Sequence, residues 1–171
     1  MGAAPSGDDA RKVFERSRVR HGRVSWERLL CGQGLALFDA VARGADTAVE
    51  PADVAARAQA GDTAARRAAT AFSHALGEFA GDLCLAFSAP GGVYLTGGVL
   101  DGLGRALDVD ALRAGFEDKG RFRTQLGAVP CFRVCADDLA LRGLARLLEG
   151  KVLAPIYDST VRNDEIADVE S

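Results

Sequence analysis

Apolar residues along the chain fall into two periodicities. Within the alanine-rich stretch from Asp62 to Phe87, Phe72, Leu76, Phe79 and Leu83 recur at offsets of four, three and four residues, which predicts one face of a long helix. By contrast, GGVYLT after Pro90 and CFRVC from Cys131 are short apolar, β-branched and aromatic runs, and each predicts a buried strand. A further helix is expected over about Val109 to Phe116, a loop over Glu117 to Phe122, and a last helix over Leu139 to Leu148.

Punctuation residues place the remaining elements. Ser6 is a candidate N-cap for a helix reaching about Arg20, with Asp8 and Asp9 at the positive end of its macrodipole. A turn follows at His21 and Gly22. Ser25 is a candidate N-cap for WERLLCGQGLALFDAVARG, which Gly32 and Gly34 divide into a short helix and a longer one ending at Gly44. Pro51 suits the first position of a helix stopped by Gly61. Two strands among helices imply α/β architecture, helix-rich, yet too few strands for a self-sufficient parallel sheet. Residues 151–171 are acidic and aperiodic and are expected to be a disordered tail.

Composition narrows the class. Of 171 residues, 48% are apolar and 26% charged, as in one globular domain rather than a disordered chain. With 21 basic and 24 acidic residues the net charge is −3, so no global positive field is present to hold polynucleotides or anionic membranes. No apolar run approaches the ~20 residues needed to cross a bilayer, and MGAAPSGDDARK lacks a signal-peptide core, so the cytoplasm is the expected location. Cys31, Cys84, Cys131 and Cys135 are expected to be structural thiols. On a strand, Cys131 and Cys135 stand ~13 Å apart, too far to form a disulfide or share a zinc ion.

Familiar catalytic signatures are absent: no G-x4-G-K-[ST], H-E-x-x-H, G-x-S-x-G or G-x-G-x-x-G is present. His74 is expected to be a surface or satisfied helix residue, and the Arg16, Arg18, Arg20, Arg23 stretch around His21 a solvated face. Two places stand out. Gly97 and Gly98 follow a strand's carboxyl end, where open α/β sheets place ligands, although a plain tight turn fits the same residues. Glu27, just past an N-cap, presents two acceptor oxygens able to hold adjacent sugar hydroxyls, although helix-end charge compensation also accounts for it.

Taken together, S-W-E-R-L-L-C-G-Q-G-L (Ser25 to Leu35), G-G-V-Y-L-T-G-G-V (Gly91 to Val99) and F-E-D-K-G-R-F (Phe116 to Phe122) resemble the bacterial glucokinase family of the non-ROK group. The order and spacing match too, over about Ala4 to Gly150. The resemblance implies an α/β fold: an incomplete actin-like ATPase (ribonuclease H-like) large lobe, spanning residues 1–150 as the C-terminal portion of a glucokinase. It implies transfer of the ATP γ-phosphoryl group to D-glucose, giving glucose 6-phosphate, with Mg²⁺ accompanying ATP. Glu27 resembles the family's glucose-binding glutamate, and Thr96, Gly97 and Gly98 resemble its adenosine-side loop. Arg28 is expected to brace the same helix start, while Lys119 and Arg121, tempting as phosphate contacts, are expected to be structural.

Departures from the family pattern shape the functional expectation. The D-x-G-x-T phosphate hairpin and the N-D pair bearing the general base are absent from this sequence, so no residue here is assigned as catalytic. The E-G-G-H sugar motif is expected to end immediately before Met1. Ala136 and Leu139 stand where the family has His and Pro near the last helix. The chain is therefore expected to be a fragment of a glucokinase, its activity in isolation doubtful. The alternative is a non-catalytic interaction module that binds a complementing N-terminal half or a second copy. A nucleic-acid binder using Arg16 to Arg23 is disfavoured by the overall charge.

Overall fold

A computed structural model describes residues 2–135, 138–148 and 168–169. In chain order the elements are α1 (Asp8–His21), α2 (Trp26–Leu29), α3 (Gly32–Arg43), α4 (Pro51–Ala60), α5 (Thr63–Phe87), β1 (Val93–Leu95), α6 (Gly98–Leu103), α7 (Val109–Glu117), α8 (Arg123–Gly127), β2 (Cys131–Val134), α9 (Leu139–Leu148) and β3 (Asp168–Val169). Single 3₁₀ turns lie at Gly104–Ala106 and Gly120–Phe122. The fold is a helix-rich α/β arrangement. Its sheet has three strands in the order β1-β2-β3, all parallel, with Val93 opposite Cys131 and Arg133 opposite Asp168. The expectation of a disordered tail falls largely outside the described residues, but Asp168–Val169 adds a strand to the two foreseen.

The long helix α5 is the axis of the molecule. Asp62 caps it by accepting the Ala65 N–H at 2.8 Å, and that bond, reinforced by the Arg57 guanidinium, holds the Asp62 carboxyl below the usual carboxylate range despite partial desolvation. Phe72 is fully buried and meets Phe38 of α3 edge-to-face at 6.0 Å, and Phe79 meets Trp26 of α2 at 5.6 Å. Apart from Phe72, the buried face is made mostly of small residues rather than of the Phe/Leu stripe, whose Leu76, Phe79 and Leu83 are only partly buried. Ala65, Ala68, Ala69, Ala75, Gly77, Ala80 and Gly81 are all buried. A Cβ at Gly77 would overlap the Leu112 carbonyl oxygen of α7, and one at Gly115 would overlap the His74 carbonyl oxygen of α5. The two helices therefore touch backbone to backbone, an approach that larger side chains forbid.

From α7, Arg113 carries this packing outward. Its guanidinium pairs with Glu117 at 2.6 Å and donates to the carbonyls of Leu126, Gly127 and Val129 at 2.7–2.9 Å, fixing α8 and the entry to β2. On the other side, buried Asp39 accepts from Arg43 at 2.6 Å and Arg57 at 3.2 Å, and Arg57 also reaches Asp62 at 2.7 Å. This network joins α3, α4 and the start of α5.

Several local expectations are corrected. Ser6 does not cap α1; Gly7 occupies that position, and the Ser6 hydroxyl and backbone N–H both donate to Glu78 Oε1 of α5. Ser25 sits at the N-cap of α2 without a side-chain capping bond, and its backbone forms an antiparallel bridge with Gly2. Cys31 caps α3, its Sγ accepting the Gly34 N–H at 3.4 Å. The first strand is not buried on both faces: Tyr94 is 62% exposed and stacks on Phe132 at 4.9 Å. The stretch expected to be a loop from Glu117 contains a 3₁₀ turn and leads directly into α8. The last helix lies where its leucine spacing placed it, and Leu141, Leu144, Leu147 and Leu148 are exposed; the Leu139 side chain is outside the described set.

If the backbone contact of α5 with α7 is the keystone, Gly77→Val and Gly115→Val should each lower stability by at least ~1–3 kcal/mol through overpacking. Gly91→Ala, where nothing lies within 4 Å of the added carbon, should change it by less than ~0.5 kcal/mol. Urea unfolding midpoints compare the three, and equal losses at all of them would contradict this picture.

Candidate functional site

Glu27 lies in the first turn of α2, exposed and lining a cleft of about 570 Å³. Burial of its neighbours Trp26 and Leu29 fixes the helix beneath it, and the Trp26 indole packs against Phe79 of α5. The close fit of Gly34 adds to this constraint. A Cβ at Gly34 would overlap the Leu29 carbonyl oxygen, so α3 starts directly against the end of α2. Among the described residues no side chain pairs with Glu27, leaving both carboxylate oxygens directed to solvent or ligand.

Sequence reasoning named Glu27 and Arg28 but treated Arg20 and His21 as a solvated face. The structure places all four around one cleft, together with Ser17, Ser25 and Gln33. The signal missed was tertiary: the turn at Gly22, with φ +71°, folds the end of α1 back beside α2. Gly2 bridges Ser25, and the Ala3 N–H donates to the Val24 carbonyl at 3.1 Å. The amino-terminal segment thus runs beside the strip leading into Glu27.

Thr96, Gly97 and Gly98 line a second, smaller pocket of about 270 Å³, with Leu30, Phe72 and Leu76 as its apolar wall. Gly97 has φ +132°, which a side chain rarely tolerates, and a Cβ at either glycine would meet nothing within 4 Å. The backbone there is consequently open to a flat ligand. The glycine pair does more than close a tight turn, since it leads straight into α6. The two pockets share a partition: Arg28 and Cys31 face the Glu27 cleft, while Leu30 faces the glycine pocket.

Other candidates resolve into architecture. Lys119 pairs with Asp82 of α5 at 2.7 Å and is largely buried, and the Arg121 guanidinium lies 4.9 Å from the Phe122 ring. Lys119 thus ties its turn to α5, while Arg121 contacts only its neighbour in sequence. His74 lies 3.8 Å from the buried Glu78 carboxylate. Burial pushes the Cys84 and Cys131 thiols up, against the opposing pull of Arg113, so neither is a ready nucleophile. Among the described residues no cluster of three or more His, Cys, Asp or Glu side chains is placed to hold a metal ion. No helix among them is long and apolar enough to cross a membrane.

Comparison with known proteins places this geometry in a family. The family model described as Glucokinase matches residues 2–151. The chain belongs to the glucokinase family. It is 41% identical to a glucokinase-like protein of Caulobacter vibrioides over 136 residues, 79% of this chain and 42% of that protein. It is 39% identical to a glucokinase of Chromohalobacter salexigens, over 86% of this chain and 48% of that one. A crystal structure of glucokinase from an Antarctic psychrotroph superposes with a TM-score of 0.76 at 27% identity, covering 88% of this chain and 48% of that chain. The chain thus spans about half the length of the glucokinases it matches.

Because Glu27 has no partner among the described residues, Glu27→Gln should change thermal stability by less than ~0.5 kcal/mol, below the upper end of a helix-terminus charge effect. Calorimetry on the two proteins checks this; a loss near 1 kcal/mol would assign Glu27 to helix-end compensation.

Proposed function

We propose that this chain is the C-terminal portion, over residues 1–150, of an ATP-dependent glucokinase with an actin-like ATPase large lobe. It contributes one glucose ligand and part of the adenosine site. The observation that carries this reading is the shared partition formed by α2 and the residues after it. One side presents the Glu27 carboxylate, unpaired among the described residues, to a cleft of about 570 Å³, and the other closes the pocket of Thr96, Gly97 and Gly98. A sugar and a nucleotide held on opposite sides of one short segment suit a transfer that depends on positioning.

In this reading Glu27 accepts hydrogen bonds from adjacent sugar hydroxyls, and the open backbone of Gly97 and Gly98 lies along the adenosine. Mg²⁺ enters with ATP as part of the substrate, its charge neutralising the transferring phosphoryl group. The general base and the phosphate hairpin belong to the remainder of the enzyme. A general base alone contributes ~10²- to 10⁴-fold to rate.

The 171-residue chain by itself should therefore give no glucose-dependent ADP production above background. Turnover of even ~1 per second in a coupled assay would overturn that expectation. In a full-length protein, Glu27→Gln should weaken glucose binding by ~1–3 kcal/mol, the range for a hydrogen bond to a charged group. Unchanged affinity by calorimetric titration would remove Glu27 from the sugar site.

A second reading, an interaction module without catalysis, is favoured by the face of α9, where Leu141, Leu144, Leu147 and Leu148 are exposed, the last by 89%. Burying a leucine fully contributes ~1.5–3 kcal/mol, so such a face stabilises whatever complex covers it. The isolated chain should scatter light and bind a hydrophobic dye. Both signals should fall when an N-terminal glucokinase half is added, whereas a monodisperse monomer with low dye binding would show that the chain needs no partner.

A further inference from the structure

Glu78 of α5 is a buried carboxylate served on one oxygen only. The residue is 5% exposed, and its Oε1 accepts the Ser6 backbone N–H at 2.9 Å as well as the Ser6 hydroxyl. Its Oε2 is also buried, yet among the described residues no hydrogen-bond donor reaches it. A buried charge in that condition is costly, and the cost falls if a donor moves in or the carboxylate swings out to water. A donor stands close by. One turn earlier on α5, His74 holds Nδ1 3.8 Å from Oε2, beyond a hydrogen bond but within reach of a small side-chain rotation. Among the described residues the neighbouring charges are already engaged. On the α1 side of His74, Asp9 is gripped by Arg67 at 2.7 and 2.9 Å with Lys12 at 3.9 Å, and Asp8 pairs with Arg11. From α7, Asp108 accepts the Ala111 N–H at 2.9 Å and the Thr70 hydroxyl at 2.7 Å, Arg113 pairs with Glu117, and Asp110 faces a different cavity beside Arg105. One turn beyond Glu78, Asp82 is paired with Lys119 at 2.7 Å.

We propose that His74, Glu78 and Ser6 form a proton-operated latch on the amino-terminal segment. With His74 protonated, its Nδ1–H donates to Oε2, which holds Glu78 ionised and inward and so keeps Ser6 on Oε1. With His74 neutral, the carboxylate is free to turn outward and Ser6 is released. The proton comes from solvent, to which the His74 side chain is 28% exposed. Histidine is the side chain that changes charge between about pH 5 and 8. The latched state binds this proton more tightly than the released one. Its stabilisation is therefore complete below the ordinary histidine value near ~6.5 and is lost as the pH rises through and above it. What the latch holds is the run from Gly2 to Ser6. Its far end bridges Ser25, and its Ala3 N–H donates to the Val24 carbonyl at 3.1 Å, so a proton taken up on α5 governs the strip that leads into α2. The latch is independent of the sugar and nucleotide assignments.

The Ser6 amide is a direct reporter, because its N–H is bonded to Glu78 itself. Hydrogen exchange of the full 171-residue chain is followed at about pH 5.5 and about pH 8, the range in which histidine titrates. Rates are expressed as protection factors, so that the intrinsic pH dependence of exchange cancels. Ser6 should be protected at least ~5-fold more at the lower pH, the margin between a charge-assisted and a neutral hydrogen bond. The Leu112 N–H, bonded to the Asp108 carbonyl within α7, should keep the same protection at both. His74→Gln supplies a neutral donor at every pH and should leave Ser6 protection level across the range, with circular dichroism verifying the fold. Glu78→Gln removes the charge that the imidazolium answers and should also abolish the dependence. If that variant does not fold, His74→Gln decides the matter alone. Equal protection of Ser6 at the two pH values would overturn the latch. So would a dependence that survives His74→Gln, since His21 or a carboxyl group would then be the titrating site, or one shared equally by Leu112, which would mark a change in global stability.

Discussion

The backbone contact between α5 and α7 is the constraint on which the rest of the structure depends. Gly77 and Gly115 let each helix press on the other's carbonyl groups, and Gly81, whose added Cβ would lie 2.5 Å from the Phe116 carbonyl oxygen, extends the same seam. At that separation the carbon–carbon contacts are numerous, and dispersion acts along the whole seam. Separating the helices by the width of one methyl group would do more than open a cavity. It would shift α7 and with it Arg113, which anchors α8 and β2 through three carbonyl acceptors. The strand β2 in turn sets the register of β1, whose end releases Thr96, Gly97 and Gly98.

On its opposite side, α5 supports the other half of the site. Phe79 bears on Trp26, and Phe72 bears on Phe38 and also lines the glycine pocket. A single rigid helix therefore underlies both pockets, one through aromatic packing and the other through the seam and sheet. Sites built on packed elements hold their geometry better than sites on free loops. The partition of α2 and Leu30 inherits that rigidity although its helix has only four residues.

Polar groups add direction to this packing. The Asp39, Arg43, Arg57 and Asp62 network ties three helices together by charge-assisted bonds where an apolar contact would leave register free. Glu78 performs a related task by holding Ser6, so that the amino-terminal segment stays on α5 before it passes Ser25. Among the described residues the cations near Glu27, Arg20, His21 and Arg28, take part in none of these networks.

What the sequence by itself determined was local. The period of Phe72, Leu76 and Phe79 marked the long helix, Pro51 and Gly61 bounded α4, and Gly44 closed α3, because backbone restriction and helix periodicity act over a few residues. The motifs around Glu27 and Gly97 were legible for the same reason, since each occupies one contiguous stretch. Tertiary structure alone decided which glycines serve close contact, because Gly77 and Gly115 carry no local sign of the carbonyl each will meet. It decided that Ser6 bonds Glu78 instead of capping a helix, and that Arg113 serves three carbonyls from a different part of the chain. It also decided that Arg20 and His21 share a cleft with Glu27: a run of basic residues has no direction until the turn at Gly22 gives it one.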